Sequence, residues 1–424
     1  MIERFISNCK FNQDKDAFRY LKNGKVKTIK FNQLLVDVYN FCNFFQSKGL
    51  KQNDKVVVFI MPSYQVYSLM IAGLMYGLNI IVIDSFKDLN KVDLMVKLSR
   101  AEYVFVNKKT SFLSRFIFKS LKRINVSRVN NNLCREFKYQ VNSNDIVLTT
   151  FTSGTTGNPK IINRRFQDLD KQVTILKNNI EIDNNDVVVC MLPIYVLFSL
   201  FNGNTTVFLK KINQNNVDLV KADIILGKIS NILNIKEEIK RIKKVYFGGA
   251  YIYKNEARKI ISCFNNASIN YIYGASEGVL IGFNTLDDFY KNNRFKKVLG
   301  INIEIVDKVD SVGEIVINGE SVLSNNLTHK TGDIGYCDAE YLYLVGRKKY
   351  SSLENKFYNY LYDQTIREKY NLYKVFSLWY NNKIYVFYSG NCSNKEFIKV
   401  KKFKYDLKHK TKVDYSSLIE EYLK

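Results

Sequence analysis

A chain of 424 residues with 46% hydrophobic and 25% charged residues, including 29 Tyr and 29 Phe, has apolar material for roughly two to four domains and excludes disorder, collagen and a Gly/Pro-rich filament. Its 64 Lys and Arg against 40 Asp and Glu leave a formal charge of +24, which favours contact with something acidic, though a coding bias toward Asn, Lys and Ile is enough to explain some of those lysines. Seven cysteines without a C-x-x-C pair and only two histidines, His329 and His409, argue for a reducing compartment and against a disulfide framework or a zinc or His-ligated metal centre.

The first residues, MIERFISN, lack a charged segment followed by an apolar core, so a cytoplasmic protein without a signal peptide is expected. The apolar stretch 67–83 is interrupted by Gly73, Gly77 and Asn79 and ends in a β-branched run, which predicts a buried helix feeding a buried strand rather than a membrane span. Strand-like runs at 55–60, 79–83 and 102–106 alternate with helix-like stretches at 63–76 and 89–98, the pattern of a parallel doubly wound α/β unit. Between 111 and 126, Phe112, Leu113, Phe116, Ile117, Leu121 and Ile124 fall on one half of a helical wheel and Arg115, Lys119, Lys122 and Arg123 on the other. Such a basic amphipathic helix either covers a sheet with its cations in water or meets an anionic membrane or acidic partner.

A second α/β series runs through 186–190, 223–226 and 244–247, and from about 300 short alternating strands predict a small antiparallel sheet or β-barrel. After Gly346 the composition turns rich in Lys, Tyr and Asn. The expected organisation is an N-terminal domain over 1–346, made of two doubly wound α/β subdomains plus the small β-barrel, and a mobile C-terminal α+β domain over 347–424.

Residues 149–160, TTFTSGTTGNPK, follow the strand-like 145–148. A hydroxyl- and glycine-rich loop leaving a strand suits phosphate: Gly154 and Gly157 let backbone N–H groups approach an anion, Thr152, Ser153, Thr155 and Thr156 add donors, and Lys160 supplies a cation. The spacing is not that of a Walker A loop.

This loop resembles the signature of the AMP-forming adenylate synthetase superfamily, which contains acyl-CoA synthetases, nonribosomal peptide adenylation domains and luciferases. Residues 271–278, YIYGASEG, resemble the family's Y-G-x-[ST]-E segment, 330–335 its T-G-D segment and 345–347 its G-R hinge. Residues 410–414, KTKVD, are similar to the G-K-[IV]-D segment of its catalytic lysine, and 31–84 resemble its N-terminal pattern, with Asn53 in place of a glycine.

The resemblance implies a carboxylate attacking the α-phosphorus of ATP and expelling pyrophosphate. By the same resemblance residues 152–157 and Lys160 cradle the β- and γ-phosphates, Glu277 with the Thr152 hydroxyl holds Mg²⁺, and Ser276 donates to the α-phosphate. Tyr273 and Gly274 bound the adenine on one side, with Tyr273 stacking, and Gly249 and Ala250 close the other. Asp333 accepts the ribose hydroxyls, Arg347 pairs with ribose or phosphate, and Lys412, delivered by the C-terminal domain, acts with Lys160 and Glu277 in catalysis.

Departures bear on the second half-reaction. Lys160 is followed by Ile161 rather than Gly, the hinge position is Tyr350 rather than Asp or Lys, and Lys356 stands at a glycine of the thiol path. Residues 192–201 occupy the acyl-pocket position, are almost wholly apolar and contain no Asp to pin an α-amino group, so a fatty or other apolar acid is expected, as in long-chain acyl synthetases. CoA is the expected thiol. The phosphopantetheine of an acidic acyl-carrier protein, or a degenerate adenylate-binding protein without a thioester step, are the alternatives, with an anionic membrane surface as a further contact and no nucleic acid. Residues 274–278 also spell G-x-S-x-G, the hydrolase elbow, but a strand-like run follows instead of a helix.

Overall fold

The computed structural model describes residues 1–83, 86, 88–129, 136–139, 141–153, 159–323, 328–405 and 412–423, with the side chains of Arg128 and Ser153 excepted. The chain divides into two compact units, Met1–Lys211 with Asp218–Asp223, and Ile212–Val217 with Ile224–Lys424.

The first unit carries a six-stranded sheet in the order Lys122–Asn125, Tyr103–Val106, Lys55–Phe59, Asn79–Ile81, Ile146–Ser153, Pro159–Arg165. Its first five strands are parallel and the last returns antiparallel. The stretch expected as helix then strand is the 13-residue helix Tyr64–Tyr76 and the short strand Asn79–Ile81. Gly77 ends that helix in the left-handed conformation, and a Cβ on Gly73 would sit 2.6 Å from Ile80, so the glycine lets helix and strand close on each other. Among the described residues no helix is long and apolar enough to cross a membrane.

A second set of strands in this unit pairs Val187–Cys190, Thr205–Phe208 and Asp16–Lys22 in parallel, with Lys25–Lys30 antiparallel at the edge. The detached piece Asp218–Asp223 completes the unit: the Asp223 N–H donates to the Val187 carbonyl at 2.8 Å, its carboxylate accepts from the Val187 N–H at 3.1 Å, and Arg19 donates to the Val220 carbonyl.

The amphipathic stretch 111–126 departs from its wheel. Its helix is only Ser111–Ile117, and Lys122–Asn125 is a strand on the sheet edge, where pairing with Tyr103–Val106 wins over helix propagation. Ser114, Phe118, Leu121 and Ile124 are buried, whereas Phe112, Leu113 and Phe116 are exposed.

In the second unit the parallel strands Ile224–Lys228, Lys244–Gly248 and Ser268–Tyr273 continue into antiparallel Gly282–Thr285, Arg294–Lys297, Tyr341–Arg347, Thr328–Cys337, Val312–Asn318 and Asn302–Val309. Of the expected small antiparallel sheet or β-barrel, the described strands form the sheet, and no closed barrel forms among them. Tyr341–Arg347 pairs outward with Arg294–Lys297, so the late strands extend an open sheet and Asn302–Val309 ends it as an edge.

Beyond Arg347 the helices Asn359–Lys369 and Tyr415–Tyr422 pack with a three-stranded sheet, Lys374–Tyr380, Lys383–Ser389 and Ile398–Lys399. An aromatic core joins this segment to the rest of its unit: Tyr251 stacks on Tyr360 at 4.3 Å, and Tyr253 packs with Phe376, Leu378 and Phe387.

Candidate active site

The loop's two roots are strands of the first unit. Their antiparallel register sets Thr152 directly opposite Lys160, so the hydroxyl and the cation picked out from the sequence face each other where the strands part. Arg164, 7% exposed, braces the roots by donating to the Thr150 hydroxyl at 2.7 Å and to Gln172 at 3.1 Å, and the Thr149 hydroxyl lies 2.9 Å from Asn79 Oδ1. The sequence marks Ile161–Arg165 only as a departure. In the fold those residues are the returning strand. Gly154, Thr155, Thr156, Gly157 and the side chain of Ser153 lie outside the described residues, as do His409 and Lys410.

In the second unit, the strand Ser268–Tyr273 runs into a turn carrying Gly274, Ser276 and Glu277. A Cβ on Gly274 would come 2.3 Å from the Val279 carbonyl, so only glycine allows the Ala275 N–H to reach the Gly278 carbonyl at 2.8 Å. The Leu323 N–H donates to the Glu277 carbonyl at 2.9 Å, and the Glu277 carboxylate is largely buried with His329 Nε2 3.6 Å away. In the sequence His329 counts only as one of two histidines and is given no place in the site. No local pattern announces it, because an irregularity at Gly332, with φ +72°, interrupts the alternation between His329 and Asp333 on the strand Thr328–Cys337.

Asp333 and Arg347 occupy opposed positions of two paired strands. Arg347 Nη1 donates to Asp333 Oδ1 at 2.7 Å and to the Thr331 carbonyl at 3.1 Å, while the Tyr273 hydroxyl donates to Asp333 Oδ2 at 2.9 Å. Burial, then the adjacent Asp333 charge, pushes the Tyr273 phenol well above its usual range, and the Asp333 charge raises the Arg347 guanidinium further still. Tyr273 therefore stays a donor and Arg347 a cation at every physiological pH. The Tyr273 ring packs on Phe295 at 5.5 Å. Gly249, with φ +104°, follows the strand Lys244–Gly248, and the Ala250 carbonyl accepts from the Tyr271 hydroxyl at 2.6 Å. These groups gather at the carboxyl ends of neighbouring parallel strands, the place where open α/β sheets take ligands.

The donor set suits an adenylate: an oriented carboxylate for hydroxyls, a fixed guanidinium, and a Gly-Ala turn at the end of a parallel strand. For a divalent cation Glu277 offers a carboxylate, and no cluster of three or more Asp, Glu, His or Cys is present among the described residues. That chemistry fits Mg²⁺, which keeps its waters and takes its remaining oxygens from phosphate.

Lys412 is exposed, next to Val413, which bridges to Tyr405. Tyr350, at the hinge position, stacks on Tyr415 at 4.1 Å. Lys356 takes the left-handed conformation at φ +51° and turns its exposed ammonium to Asp310 at 2.9 Å. That backbone explains why a glycine pattern fits here, and the side chain runs along the surface. Residues 192–201 contain the helix Pro193–Phe201, with Tyr195 through Phe201 all buried and Phe201 edge-on to Phe5 at 5.6 Å. Those seven residues are core.

The profile of the AMP-binding enzyme family matches residues 5–325. The chain is 22% identical over 358 residues, 75% of its length, to 73% of the 2-succinylbenzoate–CoA ligase of Enterococcus faecalis, and it spans about half the length of several other curated CoA ligases. Its fold is similar to O-succinylbenzoate coenzyme A synthetase from Bacillus subtilis in complex with AMP, with a TM-score of 0.81 at 14% identity over 96% of each chain. It is also similar to ATP-bound MatB from Rhodopseudomonas palustris, with a TM-score of 0.82 at 16% identity over 100% of this chain and 99% of that one.

Proposed function

The chain belongs to the AMP-binding enzymes, the AMP-forming adenylate synthetases, and we propose that it joins a carboxylic acid to CoA through an acyl-adenylate, releasing pyrophosphate from ATP. The observation that carries this reading is the Asp333 carboxylate held between the Tyr273 hydroxyl and the Arg347 guanidinium, an acceptor oriented for ribose hydroxyls beside a permanent cation. In this reading residues 152–157 and Lys160 cradle the polyphosphate, Ser276 donates to the α-phosphate, and Tyr273 with Gly274, Gly249 and Ala250 bounds the adenine. Glu277 and Thr152 supply oxygens to Mg²⁺, and Lys412, from a C-terminal domain over 347–424, neutralises charge developing at the α-phosphate.

For the acid we infer an apolar or aryl carboxylate. Residues 191–201 offer no Asp or Glu to hold an α-amino group, and the curated relative above is named for an aromatic acid. Burial of the helix Pro193–Phe201 removes the argument for a fatty chain in particular. A panel of fatty, aryl and amino acids in ATP–pyrophosphate exchange tests the proposal: acid-dependent exchange supports it, and acid-independent release of orthophosphate overturns it.

A further inference from the structure

We propose that the short helix Ser111–Ile117 is a docking knob by which this protein sits on an anionic phospholipid surface. Phe112, Leu113 and Phe116 are 69%, 52% and 60% exposed, all three among the exposed large apolar side chains of the described residues, and they lie within about one turn of each other. At 100° per residue they span an arc of about 100°, opposite the buried Ser114. The two phenyl rings meet edge to face at 5.3 Å, so the knob is preformed and not a set of scattered side chains.

The residues that flank this knob in the chain are cationic. Lys108 and Lys109 precede the helix, Arg115 flanks Phe112 on the wheel, Lys119 follows the last turn, and all four are exposed. Between Tyr103 and Arg135 the sequence has no Asp or Glu. A water-facing helix of a soluble domain shows polar residues outward. Here the inward face is served by Ser114 and Phe118, and the outward face pairs aromatics with cations, the combination that enters the headgroup boundary while Lys and Arg contact lipid phosphate. An acidic protein partner accounts for the cations alone. Two adjacent exposed phenyl rings at the tip favour a bilayer, whose acyl boundary accepts them without a matching pocket.

The test is sedimentation of the whole chain with vesicles of phosphatidylcholine, with and without about 30% phosphatidylglycerol. Binding to the anionic vesicles only is expected, and the paired substitution Phe112→Ser, Phe116→Ser should weaken it about tenfold or more with ATP–pyrophosphate exchange unchanged. Phe116→Trp keeps the apolar knob and adds a reporter to a chain whose one tryptophan is Trp379; its emission should shift to the blue on vesicle addition. Failure to bind anionic vesicles overturns the proposal. So does equal binding by the Ser variants, which would mean adsorption by charge alone, and so does capture of an acidic carrier protein or a second copy through the knob without any vesicle binding.

Discussion

The Tyr253 hydroxyl donates to Asp363 Oδ2 at 2.7 Å, tying the start of the helix Lys254–Cys263 to a carboxyl in the middle of the helix Asn359–Lys369. Asp363 is wholly buried and also accepts from the Ser377 N–H at 2.6 Å and the Ser377 hydroxyl. The Arg367 guanidinium lies 3.5 Å from the Tyr253 ring centre and donates to the Tyr373 and Val375 carbonyls. The segment after the hinge is thus fastened to the preceding sheet by a desolvated polar cluster as well as by rings.

Burial pushes the Asp363 carboxyl up to about 7, against the hydrogen bonds and the Arg367 charge that pull it down. A carboxyl raised in the fold favours the protonated folded form, so its contribution is complete below its unfolded value and is lost as pH rises through about 7. Amide protection in Asn359–Lys369, corrected for intrinsic exchange, should fall about tenfold or more from pH ~5 to pH ~8. In Asp363→Asn the decline should disappear. An unchanged slope would show that another group titrates.

Removing the Asp333 carboxylate leaves Arg347 desolvated without its anion and takes away the acceptor assigned to the ribose. Asp333→Ala should raise the KM for ATP about tenfold to a hundredfold and lower stability by about 2–4 kcal/mol, whereas Tyr273→Phe should cost only about 1 kcal/mol. Nucleotide titration and chemical denaturation read the two effects separately.

Glu277→Gln keeps the shape of the turn and removes one charge. We expect a loss of about 10²–10³ in acid-dependent exchange with a rise in the Mg²⁺ concentration needed, since the charge acts through the metal. Normal Mg²⁺ dependence in that variant would place the metal elsewhere.

Lys412→Ala should slow adenylation by about 10² or more and leave ATP affinity nearly unchanged, as expected for a charge felt mainly in the transition state. Lys410→Ala is the control, and an equal loss there would make the effect one of general tail charge.

At Lys356 the backbone already has the glycine conformation and the ion pair to Asp310 is exposed, so Lys356→Gly should change stability by less than about 1 kcal/mol. Transfer of pre-formed acyl-adenylate to CoA should be unaltered. A large gain in that transfer would mean that the lysine does obstruct the thiol.

Local signals made the α/β organisation readable: β-branched runs, glycine punctuation and the hydroxyl loop are written in consecutive residues. The pairing of Asp333 with Arg347 was half visible, as two separate motifs whose opposition depends on strand register. What the sequence hid was non-local. Edge pairing with Tyr103–Val106 ended the amphipathic helix at Ile117, and outward pairing with Arg294–Lys297 kept the late strands from closing. The apolar run 192–201 looked like a pocket and is mostly core, a distinction that composition alone does not make.

The first unit is not complete in the order in which it is synthesised. The strand Val187–Cys190 waits for Asp223 to satisfy both main-chain groups of Val187, and the stretch 212–217 that emerges in between belongs to the other unit. At about 5–20 residues per second the gap from Lys211 to Asp223 is on the order of a second of translation, long against the folding of a turn. A nascent chain stalled after Lys211 therefore leaves both main-chain groups of Val187 without the partners that Asp223 gives them.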